Sequence, residues 1–147
     1  MTVTAVQYGV GPIGKRIVQV AHDRGIEFVG AIDIDPEKAG TDLGTVAELG
    51  TELGVQITED PSAALSASPD VVFHSTISDV TAIDEQIEAA VGAGADVIST
   101  TEELSYPWYH NPTAATELDE IASSNGQTVL GTGINPGYAM DTLPAVL

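Results

Sequence analysis

Short runs of apolar, often β-branched residues alternate with stretches in which apolar residues recur at helical spacing. That alternation calls for a parallel sheet with helices packed against it. Six strands are predicted, at Val3–Tyr8, Glu27–Asp33, Val55–Ile57, Asp70–Thr76, Asp96–Thr100 and Thr128–Leu130. The central ones, such as the run Val71-Val72-Phe73, are continuously apolar, as burial on both faces requires. Between the first two strands, PIGKRIVQVAHDRG puts Ile13, Ile17, Val20 and Ala21 on one helical stripe and ends at Gly25, a helix stop. Asp79 is placed to cap a longer helix running through DVTAIDEQIEAAVGAG. Pro112 and Gly126 bracket another. The glycine-punctuated segment Gly40–Gly54 stays open between a short helix and loops.

The turn after the first strand, Gly9-Val10-Gly11-Pro12-Ile13-Gly14, carries the G-x-G-x-x-G spacing where a strand ends and a helix begins. In that context Gly9 takes the tight turn, Gly11 lets a pyrophosphate approach the backbone, and Gly14 lets helix and strand pack closely. The helix N-terminus then offers unpaired N–H groups and the positive end of its dipole to an anion. Gly9, Gly11, Pro12, Ile13 and Gly14 are therefore candidate cofactor-binding residues. Lys15 and Arg16 follow in the first helical turn, so two of the chain's four basic residues are expected near the phosphates. Asp33 lies 19 residues after Gly14 at the end of the second strand, the position of a carboxylate that receives ribose hydroxyls, with a turn residue ahead of Asp35-Pro36 as the alternative. NAD is favoured as cofactor and NADP is kept open, because Arg16 can partly offset an acid facing the 2′-phosphate. The expected fold is α/β: a Rossmann-type doubly wound parallel sheet with helices on both faces.

Ligands of such sheets bind beyond the carboxyl ends of the strands. The fourth strand delivers His74, Ser75 and Thr76, small polar groups suited to lining the dinucleotide channel, although a lone histidine is as often a hydrogen-bonded core residue. The fifth delivers Thr100, then Glu102 and Glu103, followed by Tyr106, Trp108 and Tyr109. Two carboxylates beside the expected nicotinamide position could hold a cationic amine or activate water on an iminium, with the aromatic rings excluding solvent. They could equally stabilise a helix start while the rings pack. The sixth strand delivers Asn135 and Gly137, of which Asn135 could hydrogen-bond the nicotinamide carboxamide or the substrate, unless the turn is purely structural.

Charge narrows the partners. With 22 acidic residues against four basic ones the net charge is −18, which repels nucleic-acid backbones and anionic membranes. Neither nucleic acid nor a membrane is expected as a partner. The dispersed acidity suits a halophilic cytoplasm, where molar salt screens self-repulsion over about 3 Å. Ordinary self-solubilisation is the alternative. Cysteine is absent, which removes disulfides, thiolate nucleophiles and cysteine metal sites, and no metal site is expected. No signal peptide or apolar run of membrane-spanning length is seen, so a soluble cytoplasmic protein is expected. The final segment GINPGYAMDTLPAVL begins a new apolar element and stops without a polar tail, which reads as truncation; a natural terminal helix is the alternative.

The strings GVGPIGKRI (9–17), GAIDIDPEKAGTDLG (30–44), VVFHST (71–76), VISTTEELSYPW (97–108) and VLGTGINPGYAMDTL (129–143) together resemble the dihydrodipicolinate-reductase-like NAD(P)-dependent dehydrogenases, and within them the diaminopentanoate dehydrogenase and amine dehydrogenase branch. The resemblance spans essentially the whole chain. It implies that residues 1–147 are an NAD(P)-binding Rossmann domain, with a substrate and dimerisation domain after residue 147 and a homo-oligomer at full length. The implied reaction is oxidative deamination of a small amine substrate. Glu102 or Glu103 then serves the amine or its hydrolytic water, Asn135 and Gly137 lie near nicotinamide, and Asp33 holds the ribose. Two other functions stay open: reduction of a cyclic imine or carbonyl, as in dihydrodipicolinate reductase itself, and a stand-alone dinucleotide-binding regulatory module.

Overall fold

The computed structural model describes residues 2–147. The chain begins with β1 (Thr4–Tyr8), α1 (Pro12–Asp23) and β2 (Glu27–Ile32), then α2 (Leu43–Val46), β3 (Ile57–Thr58), α3 (Pro61–Leu65) and β4 (Val71–His74). A 3₁₀ turn, Val80–Ala82, leads to α4 (Asp84–Gly92) and β5 (Asp96–Ser99). A second 3₁₀ turn, Glu102–Ser105, precedes α5 (Pro112–Asn125), β6 (Val129–Gly131), a π-helical segment, Ile134–Thr142, and α6 (Leu143–Val146). All six expected strands are present, with ends differing by one or two residues. They form one parallel sheet in the order β3-β2-β1-β4-β5-β6. The chain thus reverses its direction of travel between β1 and β4, which creates a crevice at their carboxyl ends.

Side chains alternate across the sheet. Val6, Ile32, Val72 and Val97 point to the face covered by α3, α4 and α5, where Ala64, Leu65, Ile87, Val91 and Leu118 complete one core. Ala5, Phe28, Ala31 and Ile57 point to the face covered by α1 and α2, against Val18, Ala21 and Leu43. This second cover is incomplete. Phe73, Ile98 and Leu130 are register neighbours on β4, β5 and β6 and share that face. Phe73 and Ile98 are only half-buried, and Leu130 is 50% exposed.

The expected stripe on α1 is corrected by the structure. Ile13 and Val20 are exposed, and the buried positions are Gly14, Val18 and Ala21, with Ile17 half-buried. A Cβ on Gly14 would collide with the Gly9 carbonyl. The glycine turn therefore draws the start of α1 so close to β1 that the helix faces the sheet with its small residues. Asp79 caps only the Val80–Ala82 turn, accepting from the Thr81 N–H, and α4 begins at Asp84. The open segment resolves around Asp42, whose Oδ1 accepts from the N–H groups of Gly44, Thr45 and Leu53 and whose Oδ2 accepts from Val55. One carboxylate so organises the short α2 and its return to β3, and those bonds outweigh desolvation to hold its pKa below the ordinary value. No helix among the described residues is long and apolar enough to cross a membrane.

Candidate functional site

The glycine turn sits at the β1–β4 crevice, and its geometry is fixed from below. The Gly9 N–H donates to the Ile32 carbonyl at 2.8 Å. The Gly9 carbonyl accepts from Gln7 Nε2 at 2.9 Å and from the Ser75 hydroxyl at 2.9 Å. Because a trans peptide aims its N–H opposite its C=O, the Val10 N–H points the other way, and it donates to Asp33 Oδ2 at 2.7 Å. The Gly9–Val10 peptide is therefore held at both ends by Gln7 of β1 and by Asp33 and Ser75, the residues just past the ends of β2 and β4. Gln7 is wholly buried within an otherwise apolar strand, and its Oε1 is the buried side-chain atom without a hydrogen bond among the described residues. An unsatisfied amide oxygen costs about 1–3 kcal/mol, so holding the turn outweighs that penalty.

The three glycines differ in what demands them. Gly9 has φ +88°, and a Cβ there would lie 2.5 Å from the Ser75 carbonyl oxygen, so the fold itself requires glycine. Gly14 is required by its contact with Gly9. Gly11 is not: its φ of −76° suits any residue, and a Cβ there meets nothing within 4 Å. Gly11 also gives α1 no side-chain cap, leaving the first-turn amides, Ile13 and Gly14 among them, without a side-chain acceptor. Pro12 at the first helical position has no N–H to satisfy. An open, uncapped helix start with a glycine that the protein's own packing does not need has the geometry of a cradle for an anion such as a pyrophosphate.

Asp33 closes the cradle on the β2 side. Its Oδ1 accepts from the Asp35 N–H at 2.9 Å, and its Oδ2 accepts from Lys38 Nζ at 3.1 Å as well as from Val10. Burial alone would raise its pKa; the Asp35 and Val10 N–H groups and the Lys38 ammonium outweigh burial and hold it below the ordinary carboxylate value. Lys38 was not singled out by sequence reading, although Asp33-x-Asp35-x-x-Lys38 places both acids within one turn of it. The two cations that were singled out turn elsewhere: Lys15 lies 3.7 Å from Glu48, and Arg16 donates to Gln19 on its own helix.

At β4, His74 is wholly buried and forms the floor of the crevice without lining it. Its Nε2 faces Gln86 Oε1 at 2.8 Å and Thr76 Oγ1 at 3.0 Å, and its Nδ1 faces Ser99 Oγ at 2.9 Å. Since Gln86 Oε1 can only accept, Nε2 carries the proton and Nδ1 accepts from Ser99. The ring so ties β4 to β5 and α4, and burial pushes its pKa down, with Gln86 opposing in part. Ser75 is spent on the Gly9 carbonyl, while Thr76 donates to Gln86 and is half-exposed. Thr100 is half-exposed at the end of β5, its N–H on the His74 carbonyl.

The two glutamates part company. Glu103 Oε2 accepts from the Val80 N–H at 3.0 Å and from Asn111 Nδ2 at 3.3 Å, so it staples the β5 loop to the turn after β4. The Glu102 carboxylate has no hydrogen-bond partner among the described residues and is exposed. Tyr106, Trp108 and Tyr109 are 67%, 50% and 77% exposed, so in this chain alone the rings do not exclude water. Asn135 is exposed near the start of the π-helical segment; Gly137 follows, its N–H on Asp141 Oδ2 at 2.6 Å. Among the described residues no cluster of three or more histidines and acids is placed to hold a metal.

No protein-family model matches the chain. It is 30% identical over 153 aligned residues to an amine dehydrogenase of Streptomyces virginiae, covering 99% of this chain and 41% of that one. It is 34% identical over 150 to the 2,4-diaminopentanoate dehydrogenase of Acetoanaerobium sticklandii, covering 96% and 40%. Its structure superposes on that of an amine dehydrogenase from Mycobacterium smegmatis with TM-score 0.87 at 36% identity, covering 90% of this chain and 40% of that one. The chain thus spans about two-fifths of the length of these relatives.

Two outcomes test this geometry. Gly11→Ala should leave unfolding stability within about 0.5 kcal/mol of wild type, yet weaken binding of a nicotinamide dinucleotide at least about tenfold. Gly14→Ala should instead destabilise the fold by about 1–3 kcal/mol through overpacking. Chemical denaturation and calorimetric titration of the two variants separate these effects. For His74, the unfolded chain takes up a proton that the folded one resists. Wild type should therefore lose stability relative to His74→Asn as pH falls below about 6.5, approaching about 1.4 kcal/mol per pH unit; denaturation midpoints at pH 8, 7, 6 and 5 check the sign.

Proposed function

We propose that this chain is the NAD(P)-binding part of a longer amine dehydrogenase that converts a small amine or diamino acid to a ketone and ammonia. The single observation carrying the cofactor assignment is the cradle at Gly11, glycine where the fold does not need it and an uncapped helix start beside it. Similarity to amine-oxidising dehydrogenases over nearly the whole chain supports the reaction class. The shared two-fifths length supports a substrate domain elsewhere in a longer protein, which we read as a homo-oligomer.

In this reading the Ile13 and Gly14 amides take the pyrophosphate, Asp33 takes a ribose hydroxyl, and Thr76 and Thr100 line the channel between β4 and β5. Asn135 and Gly137 border the nicotinamide end. The bound dinucleotide supplies the hydride acceptor. The substrate carbon loses hydride and becomes an iminium; water adds to that carbon, and the C–N bond then breaks to leave a ketone and ammonia. Glu102 is the group that accepts a proton from the attacking water, because its carboxylate is unencumbered and sits on the turn leaving β5. Glu103 is a positioning residue that fixes the same turn. The exposed Trp108 and its neighbours become the water-excluding wall when a substrate domain covers them.

In the longer protein, Glu102→Gln should lower turnover by about a hundredfold or more with dinucleotide affinity unchanged. Glu103→Ala should lower stability by about 1–3 kcal/mol, because it leaves the N–H of buried Val80 unpaired. Full turnover in Glu102→Gln would remove the proposed role.

We further read the surface as that of a protein working in a salt-rich cytoplasm. Asp84, Glu88, Glu117 and Glu120 all line one recess between α4 and α5, and the net charge is −18. The melting temperature should climb steadily between 0.1 and 2 M KCl, flags of repulsion being screened over about 10 Å and then about 3 Å or less; a melting temperature indifferent to salt would contradict this reading.

A further inference from the structure

Lys38 changes what Asp33 can do. A carboxylate offers about four acceptor positions, two on each oxygen. Asp33 Oδ2 is filled by the Val10 N–H at 2.7 Å and Lys38 Nζ at 3.1 Å, and Oδ1 receives the Asp35 N–H at 2.9 Å. One position remains. A ribose presenting two adjacent hydroxyls to this acid can therefore place only one while Lys38 is seated, and the ammonium occupies the place of the second.

The ammonium is not fully spent either. It has three N–H groups, and its two neighbours are Asp33 Oδ2 and Asp35 Oδ2, the latter at 3.4 Å. Its side chain remains 23% exposed, so one donor can face a ligand at the end of β2. With Lys38 present the acids Asp33 and Asp35 are partly neutralised; without it, two carboxylates would face any incoming phosphate at close range. Arg16, the other cation considered for that task, is engaged with Gln19. Lys38 is one of only four basic residues in the chain, and it is the one seated on the acid that faces the ribose.

We propose that Lys38 is the residue that sets cofactor choice, receiving the 2′-phosphate of NADP so that the site accepts NADP at least as well as NAD. The proposal rests on the dinucleotide-binding reading above. It reverses the preference that Asp33 taken alone implies, because the acid is already latched to the glycine turn and its charge is partly offset by the ammonium it shares with Asp35. Lys38 acts at the adenosine end and takes no part in hydride transfer.

Calorimetric titration of the wild-type chain with NAD and with NADP, in one KCl buffer, gives the first readout. NADP binding within about threefold of NAD, or tighter, is expected; NAD binding about thirtyfold tighter than NADP overturns the proposal while leaving the dinucleotide site intact. Lys38→Gln should weaken NADP about tenfold or more and leave NAD within about threefold, and Lys38→Arg should restore NADP. Equal loss of both cofactors in Lys38→Gln would mean that Lys38 only braces Asp33, and would also overturn the proposal. Failure of the folded wild type to bind either dinucleotide would instead defeat the underlying site assignment, and the proposal with it.

Discussion

The Gly9–Val10 peptide is the constraint on which the rest of the site depends. Its carbonyl is pulled toward Gln7 and Ser75, and its N–H toward Asp33, so β1 and the residues that leave β2 and β4 agree on one orientation of one peptide plane. That orientation fixes where α1 starts, and the start of α1 decides that Gly14, Val18 and Ala21 rather than larger residues meet the sheet. The same latch keeps Asp33 at the crevice and ionised, because burial is outweighed by the donors that converge on it. Packing, electrostatics and the ligand cradle are thus consequences of a single local arrangement.

Much of this was legible in sequence because it follows from periodicity and spacing. All six strands, the glycine turn and the Gly126 helix stop carry local signals, and the left-handed φ of +70° at Gly126 is what that signal predicts. What was not legible depends on contacts between distant residues. Ile13 and Val20 look like a buried stripe until the close approach at Gly14 rotates the helix away from them. His74 could not be assigned to the channel or the core without Gln86 and Ser99 in view. Asp42, four of whose acceptor bonds hold an irregular segment, carries no pattern beyond being one acid among 22. Gln7 did carry a signal, a polar residue at the centre of an apolar strand.

One face of the sheet is unevenly covered. α1 and α2 cover one end of their face, whereas Phe73, Ile98 and Leu130 run across β4, β5 and β6 with incomplete cover. The aromatic side chains after β5 and the apolar residues Ile134, Tyr138 and Met140 after β6 are exposed as well. An apolar area of this kind is what a chain spanning two-fifths of its relatives would show if the remaining part packs against the strand ends.

The account stands or falls on whether a dinucleotide occupies the strand ends at the glycine turn. Titration of the isotopically labelled chain with NAD and, separately, with NADP, followed by amide resonances, addresses this residue by residue. The largest changes should fall on Gly11, Ile13 and Gly14 and on the Asp33–Lys38 loop, with little change in α4 and α5. Changes centred on the acidic recess between α4 and α5, or none with either dinucleotide in a folded chain, would contradict the site and the function drawn from it.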